Sequence, residues 1–299
     1  MYRVGIIGSE NSHAMAFAKI FNGLEEGIAY PDIKVVAVGG HYPEESKKVF
    51  DACGLEFIAE KPEDMLGKVD AVMITARNGK FHPEFARPFI EAGIPAFIDK
   101  PFANDGEEAL ALARLAKSKG VPLVGGSSTK YALETVALRD MVRSGELGRI
   151  CGGAVSAPVN MHNEYGGFYF YASHLAEISM TIFGYDVKSV AASLQGDDVS
   201  VIARYNDFMV SHHYHEANYN YTGLIYGTEG SCFKPINING SIGSPTSIYR
   251  FECDHFAHML RTGEMDQTYE ELVLPVYYLN AVEKAFQTGV EQEIPHIEV

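Results

Sequence analysis

The sequence predicts an α/β fold: a doubly wound parallel sheet in the first part of the chain, then an α+β unit with a large, mainly antiparallel sheet. Three observations carry this prediction. In the first part, short apolar runs alternate with helical patterns, the mark of β-α-β units. After Ile150 the apolar runs follow one another almost without helices, which requires strands joined back to back. The chain also opens directly on an apolar strand, a glycine turn and a helix. These features divide it into residues 1–125 and 126–299.

Composition bounds the function. A length of 299 residues is enough for two domains, and 46% hydrophobic with 21% charged residues is ordinary for a globular enzyme. A net charge of −15 argues against nucleic acid and anionic membrane surfaces as partners. No apolar run approaches a membrane span, and the first residues enter a strand rather than a signal peptide, so a cytoplasmic protein is expected. Cys53, Cys151, Cys232 and Cys253 lack paired spacing and read as reduced packing thiols. No residue set has metal-ligand spacing. His213 and His215 share a strand face, but they read as sheet surface or subunit contact.

The elements of the first part follow in order. Tyr2 to Ile7 is a strand that ends at Gly8, and a helix runs through Phe17, Ile20 and Phe21 with Ser12 as its expected N-cap. Such a start predicts a Rossmann-like dinucleotide fold, with phosphate at the helix N-terminus. The glycine fingerprint departs from its pattern, because Glu10 and His13 hold the second and third glycine positions. A carboxylate there opposes a pyrophosphate unless it turns away. Ser9, Asn11, Ser12 and His13 thus form either an unusual phosphate cradle or a plain capped helix start. Ile33 to Val38 is the second strand; it ends in Gly39-Gly40-His41, without the acid that usually holds a ribose in NAD-type sites. Helices from Pro43 and from His82-Pro83 flank the strand Val69 to Thr75, and a helix from Gly106 to Lys119 precedes the strand Val121 to Val124.

Between those last two helices lies Ala96-Phe97-Ile98-Asp99-Lys100-Pro101. The apolar run reads as a buried parallel strand, and ligands of open α/β sheets sit beyond the carboxyl ends of strands. Lys100 is therefore placed at a strand mouth, and Pro101 denies the strand a further donor. In the second part a helix is expected from Tyr131 to Val142. Strands follow at 152–159, 187–194, 199–205, 208–214 and 221–226, interrupted by a helix at 173–183 and closed by one at 275–288.

At these residues the chain resembles the glucose–fructose oxidoreductase and inositol dehydrogenase (Gfo/Idh/MocA) family. The motifs are Asp70-Ala71-Val72 through Asn78 and His82, Glu91-Ala92-Gly93, Asp99-Lys100-Pro101, Ser144 to Ile150, and Tyr226-Gly227-Thr228-Glu229-Gly230. The resemblance implies a nicotinamide cofactor over the first sheet near Gly8, Gly40, His41, Thr75, Asn78, His82, Asp99, Lys100 and Pro101. It also implies a glycine run before a helix carrying an Asp and, four residues on, a His. Here Gly166-Gly167 precede Phe170 at the Asp position, flanked by Tyr169 and Tyr171, and His174 fits the His position. A histidine suits a general base toward a hydroxyl, and a tyrosine can donate to an oxygen or stack on a sugar ring. The other reading of His174 is a capping histidine among core aromatics. Lys130, Tyr131, Tyr169 and His162 are further candidates for the substrate side.

The expected function is an NAD(P)-dependent oxidoreductase of a polyol, sugar or related hydroxy compound, with Lys100 polarising the oxygen and His174, aided by Tyr171, taking or relaying the proton. The cofactor is NAD or NADP, with NADP slightly favoured because the second strand lacks its acid. The alternatives are a sugar-type lyase or hydrolase, or a non-catalytic ligand-binding protein. A homodimer or homotetramer is expected through the second sheet, whose strands carry Tyr205, Phe208, Tyr214, Tyr219 and Tyr221.

Overall fold

The computed structural model describes residues 1–25, 27, 29–238 and 247–299. Strands β1 (Tyr2–Ile7), β2 (Ile33–Gly39), β3 (Phe57–Ala59), β4 (Ala71–Ile74), β5 (Ala96–Asp99) and β6 (Leu123–Gly126) form one parallel sheet in the order β3-β2-β1-β4-β5-β6. The central strands are buried on both faces, so their sequences read as continuous apolar runs rather than alternating ones. Strand order reverses between β1 and β4, and a crevice opens beyond their carboxyl ends. Gly8 closes β1 there with φ +107°, and a Cβ at this position would lie 2.1 Å from the Ala76 nitrogen. Gly8 is thus required by the close approach of β1 to the end of β4, whatever binds above it.

Four helices flank this sheet: α1 (Ser12–Phe21), α2 (Pro43–Cys53), α3 (His82–Glu91) and α4 (Gly106–Lys119). The N-cap of α1 is Asn11, not the expected Ser12; its side chain accepts from the His13 nitrogen at 3.2 Å. In α4, Asp105 accepts from the nitrogens of Glu107 and Glu108, and Gly120 ends the helix in the left-handed region.

The second part comprises α5 (Leu133–Ser144), β7 (Ile150–Pro158), α6 (Phe168–Phe183), β8 (Ser189–Gln195), β9 (Asp198–Arg204), β10 (Met209–His215), β11 (Tyr221–Gly227), β12 (Gly230–Ile236), α7 (Ile248–Thr262), α8 (Tyr269–Thr288) and β13 (Gln292–Glu293). Its seven-stranded sheet has the order β12-β11-β7-β10-β9-β8-β13, and all pairs are antiparallel except β7 with β10. Several boundaries differ from expectation. The helix expected from Tyr131 begins at Leu133, after a 3-10 turn over Ser128–Tyr131 that Ser127 caps. Helix α6 begins at Phe168 rather than 173, because Phe168 is buried against Tyr214 and Phe286 and draws the first turn into the core. Helix α8 begins at Tyr269 rather than 275, where Thr268 and Glu271 form a capping box and leave Pro275 inside the helix.

Two of these helices tie the two sheets together. Cys253, Phe256 and Ala257 of α7 share a core with Phe17 of α1 and Phe97 of β5. Helix α8 buries Leu272, Val273 and Val276 with α3 and α4, then Tyr278, Leu279 and Val282 against the second sheet. The aromatics Tyr205, Tyr214 and Tyr221 are not on the open face of that sheet. They are buried beneath α6 and α8, because their strand positions share the inward parity of Val201, Val210 and Ile225. The outer face instead carries the register row Phe233–Leu224–Ala154–Ser211–Ile202–Ala191, with Tyr226 and Met209 one row away.

Candidate functional site

A cavity of about 420 Å³ lies beyond the carboxyl ends of the first sheet. Asn11 and His13 reach it from the start of α1, Arg77 and Lys100 from the ends of β4 and β5, and Tyr171 and His174 from α6. The sequence candidates Lys100, His174 and Tyr171 are thereby brought together. A larger cavity, about 620 Å³, lies elsewhere, between the end of α6, α8 and the C-terminal segment, and none of these three lines it.

Asp99 lies beneath the site, behind the residues that line the cavity. It is wholly buried and both its oxygens have partners. Oδ1 accepts from the Lys100 nitrogen at 2.7 Å, and Oδ2 accepts from Asn11 Nδ2 at 3.0 Å and lies 2.7 Å from His13 Nδ1. Burial raises the proton affinity of this carboxyl, but the facing His13 and the neighbouring Lys100 outweigh it and hold the group below the usual carboxylate range. The Lys100–Pro101 peptide is cis. Lys100 Nζ donates to the Phe170 carbonyl at 3.1 Å and sits 3.8 Å from the centre of that ring. Burial pushes the Lys100 ammonium down to about 8, with Asp99 and Glu252 opposing and Arg77 adding to the fall.

His174 is held by a closed set of contacts. Its Nδ1 is 2.6 Å from Ser127 Oγ, Ser127 Oγ is 2.7 Å from Thr129 Oγ1, and Thr129 Oγ1 donates to the His174 carbonyl at 3.4 Å. One direction of donation satisfies all three: Nδ1–H to Ser127, Ser127 to Thr129, Thr129 to the carbonyl. That direction leaves Nε2 as an acceptor. Burial, Lys100 and His13 hold His174 well below the ordinary histidine value, so the ring is neutral. One turn on, Glu177 accepts from the Ser127 nitrogen at 2.7 Å and lies 3.3 Å from Lys130 Nζ.

Several other sequence candidates do not line this cavity. Lys130 is buried between Glu177, Gln267 and the Gly125 carbonyl, and Tyr131 donates to Asp266 and stacks on His255; both line a separate cavity. Tyr169 donates to Glu283, and the exposed His162 faces Asp197, although its neighbours Asn163 and Glu164 do line the central cavity. His82 is buried between the carbonyls of Ala76 and Pro101 and joins the ends of β4 and β5. Thr75 donates to the Gly8 carbonyl, and Asn78 caps a short turn and accepts from Asn104. Ser9 pairs with Ser46, His41 packs edge-on against Phe81, and Gly40 folds over the nitrogens of Gly8 and Ser9. Sequence reasoning missed Arg77, Tyr165 and Tyr249, which line the cavity. It also missed that Ser127 orients His174.

Residues 2–127 match the model of the GFO_IDH_MocA family, described as an oxidoreductase family with an NAD-binding Rossmann fold. The match covers the part of the chain that forms the first sheet, 126 of its 299 residues. The chain is 30% identical over 126 residues to dehydrogenase aclE of Aspergillus oryzae, covering 39% of this chain and 33% of that protein. It is 37% identical over 81 residues to myo-inositol dehydrogenase Hyg17 of Streptomyces leeuwenhoekii, covering 27% of this chain and 25% of that one. The matches thus span a third or less of these curated relatives. Likeness over the whole length is one of fold: GenD2 from gentamicin A biosynthesis, solved in complex with NAD, superposes with a TM-score of 0.84 over 99% of this chain and 97% of that one, at 16% identity.

The glycine turn keeps the open backbone donors that a dinucleotide would need. Glu10 turns aside: its Oε1 accepts from the Arg77 nitrogen at 2.9 Å. Among the described residues, no acceptor meets the backbone N–H groups of Ser9 and Glu10, at the N-terminal end of α1, where a pyrophosphate would be received.

The ammonium of Lys100 is held in the folded state against its own burial. With the folded value below the unfolded one, this penalty is complete below about pH 8 and fades as pH rises toward the ordinary lysine range. Lys100→Met should therefore stabilise the protein at pH 7, by on the order of 1–3 kcal/mol, with the gain shrinking above pH 8. Urea unfolding at pH 7 and pH 10 checks this; equal or lower stability at pH 7 contradicts it.

Proposed function

We propose that this chain is an NAD(P)-dependent oxidoreductase that interconverts a hydroxyl and a carbonyl on a polyol, sugar or related compound. The observation that carries the proposal is the convergence of Lys100 and His174, from two different sheets' worth of structure, on one cavity at the strand ends. When bound, the nicotinamide supplies the hydride acceptor or donor. The backbone of the turn Gly8–Ser12 would hold its pyrophosphate, with Thr75, Asn78 and Pro101 at the strand ends beneath it. Lys100 has three N–H donors, of which Phe170 takes one; another can meet the substrate oxygen and stabilise developing alkoxide. His174 Nε2 accepts the hydroxyl proton, with its ring steadied through Nδ1 by Ser127. Tyr171, beside His174, offers a donor to a further hydroxyl.

The cofactor reading extends to choice. No acid follows β2, and His41 stands there, so no strong preference for NAD over NADP is expected, with NADP slightly favoured. The partner is a small molecule, and the setting is cytoplasmic, in keeping with free cysteines. Among the described residues, no helix is long and apolar enough to cross a membrane.

A panel of polyols and sugars, assayed with NAD⁺ and NADP⁺, tests the reaction. With the best substrate, Lys100→Met should lower kcat by about 100-fold or more, the usual loss for an electrostatic stabiliser. His174→Asn should lower it by roughly 10²–10⁴ while leaving cofactor affinity nearly unchanged. Rates in both variants within threefold of the unsubstituted enzyme would count against these roles.

A homo-oligomer is also part of the proposal. The outer row from Phe233 to Ala191, with exposed Tyr226 and Met209, is an apolar face that no described element of the chain covers. Sedimentation should find a dimer or tetramer of the 32.8 kDa chain at micromolar concentration. Phe233→Lys with Tyr226→Lys should shift it toward monomer; a monomeric parent protein removes this part of the proposal.

A further inference from the structure

The cavity contains a second histidine that the reaction outlined above leaves unused, and any role for it in proton transfer rests on that reaction. His13 is the second residue of α1, at a position where a fingerprint glycine would carry no side chain. Its ring packs against Phe17 at 5.6 Å and edge-on against Tyr249 at 4.9 Å, so its orientation is fixed. Nδ1 lies 2.7 Å from Asp99 Oδ2, a charge contact rather than a linear hydrogen bond. Nε2, on the opposite edge of the ring, is not sealed and belongs to the cavity surface shared with Lys100 and His174.

The surroundings of the two histidines differ in sign. His174 is neutral, and a proton placed on it would sit buried beside the Lys100 ammonium. His13 faces a carboxylate that water does not reach, where opposite charges attract far more strongly than at a surface. Every element packed here has a titratable or charged group to consider: Asp99 and Lys100 on β5, Arg77 beyond β4, His82 on α3 behind Asp99, His174 on α6, and Tyr249 and Glu252 on α7. Burial and then Asp99 push the Glu252 carboxyl upward, and Asp99, 2.7 Å from Nδ1, is the acid that the ring meets.

We propose that His13, positioned by Asp99, is the terminal proton acceptor of the reaction. In the oxidation direction the substrate O–H bond breaks and an N–H bond forms at His174 Nε2. The electron pair of the C–H bond leaves with the hydride to the nicotinamide. The proton on His174 then passes to His13 Nε2, across the cavity that both rings line, and the imidazolium is held by the Asp99 carboxylate. Reduction runs the same path in reverse, with His13 as the proton source. His13 is thus a catalytic residue and Asp99 a positioning one.

The test compares His13→Gln, His13→Ala and Asp99→Asn in the full-length protein with the best substrate of the panel. His13→Gln should lower kcat about 10- to 100-fold with KM and NADH affinity within threefold. His13→Ala should regain rate when free imidazole is added, a response that a purely structural role would not give. Asp99→Asn keeps the shape of the site and should lower kcat without imidazole rescue. A kcat for His13→Gln within twofold of the parent overturns the proposal. So does a loss in His13→Ala that imidazole does not relieve, or one matched by an equal loss of NADH affinity. If the unsubstituted protein turns over no hydroxy compound with either cofactor, the oxidoreductase reading itself fails, and that failure is seen before any variant is made.

Discussion

The buried carboxylate of Asp99 is the constraint on which the site depends. Burying an unpaired carboxylate is strongly unfavourable, so a chain that places one at the end of β5 must surround it with donors and positive charge. Asn11, the Lys100 nitrogen and His13 meet that requirement from three directions. The same contacts fix the β1–α1 turn over the ends of the sheet. They also place the Lys100 side chain against the first turn of α6. Replacing Asp99 by an apolar residue would leave Asn11 and His13 without the acceptor that aligns them, so the geometry on both sides of the crevice depends on one group.

The interface of the two halves of the fold is carried by α7 and α8. Each helix buries residues with the first sheet, and α8 continues into the core of the second. A cavity between sheets is therefore walled by elements from early, middle and late parts of the chain. Cavity-lining groups drawn from such distant positions keep a fixed separation only if the helices between them are locked by packing, which the shared cores provide.

Much of the fold was legible because its signals are local. Strands buried on both faces have no choice but apolar runs, and β2, β4 and β5 read clearly. Lys100 was legible for the same reason: the end of a buried parallel strand is a place, not merely a pattern. Strand β12 was missed because Pro235 weakens a strand signal, and the structure places it at the sheet edge, where a proline is tolerated. Helix α7 was missed although Cys253, Phe256, Ala257 and Leu260 recur at helical spacing. Side-chain direction was the least legible property. Lys130 and Tyr131 follow a strand end just as Lys100 does, yet Glu177 and Gln267 draw one inward and Asp266 turns the other away. Such partners lie 47 to 137 positions distant in the sequence, and no local pattern encodes them.

The Arg77 nitrogen turns the Glu10 carboxylate aside and leaves the glycine turn open to a nicotinamide dinucleotide. Titration of NADH and NADPH into the protein, followed by nicotinamide emission, tests this most directly, since the chain has no tryptophan to interfere. A saturable change is expected for at least one of them, with half-saturation below about 1 mM. No saturable change for either cofactor up to that concentration would contradict dinucleotide binding at this turn.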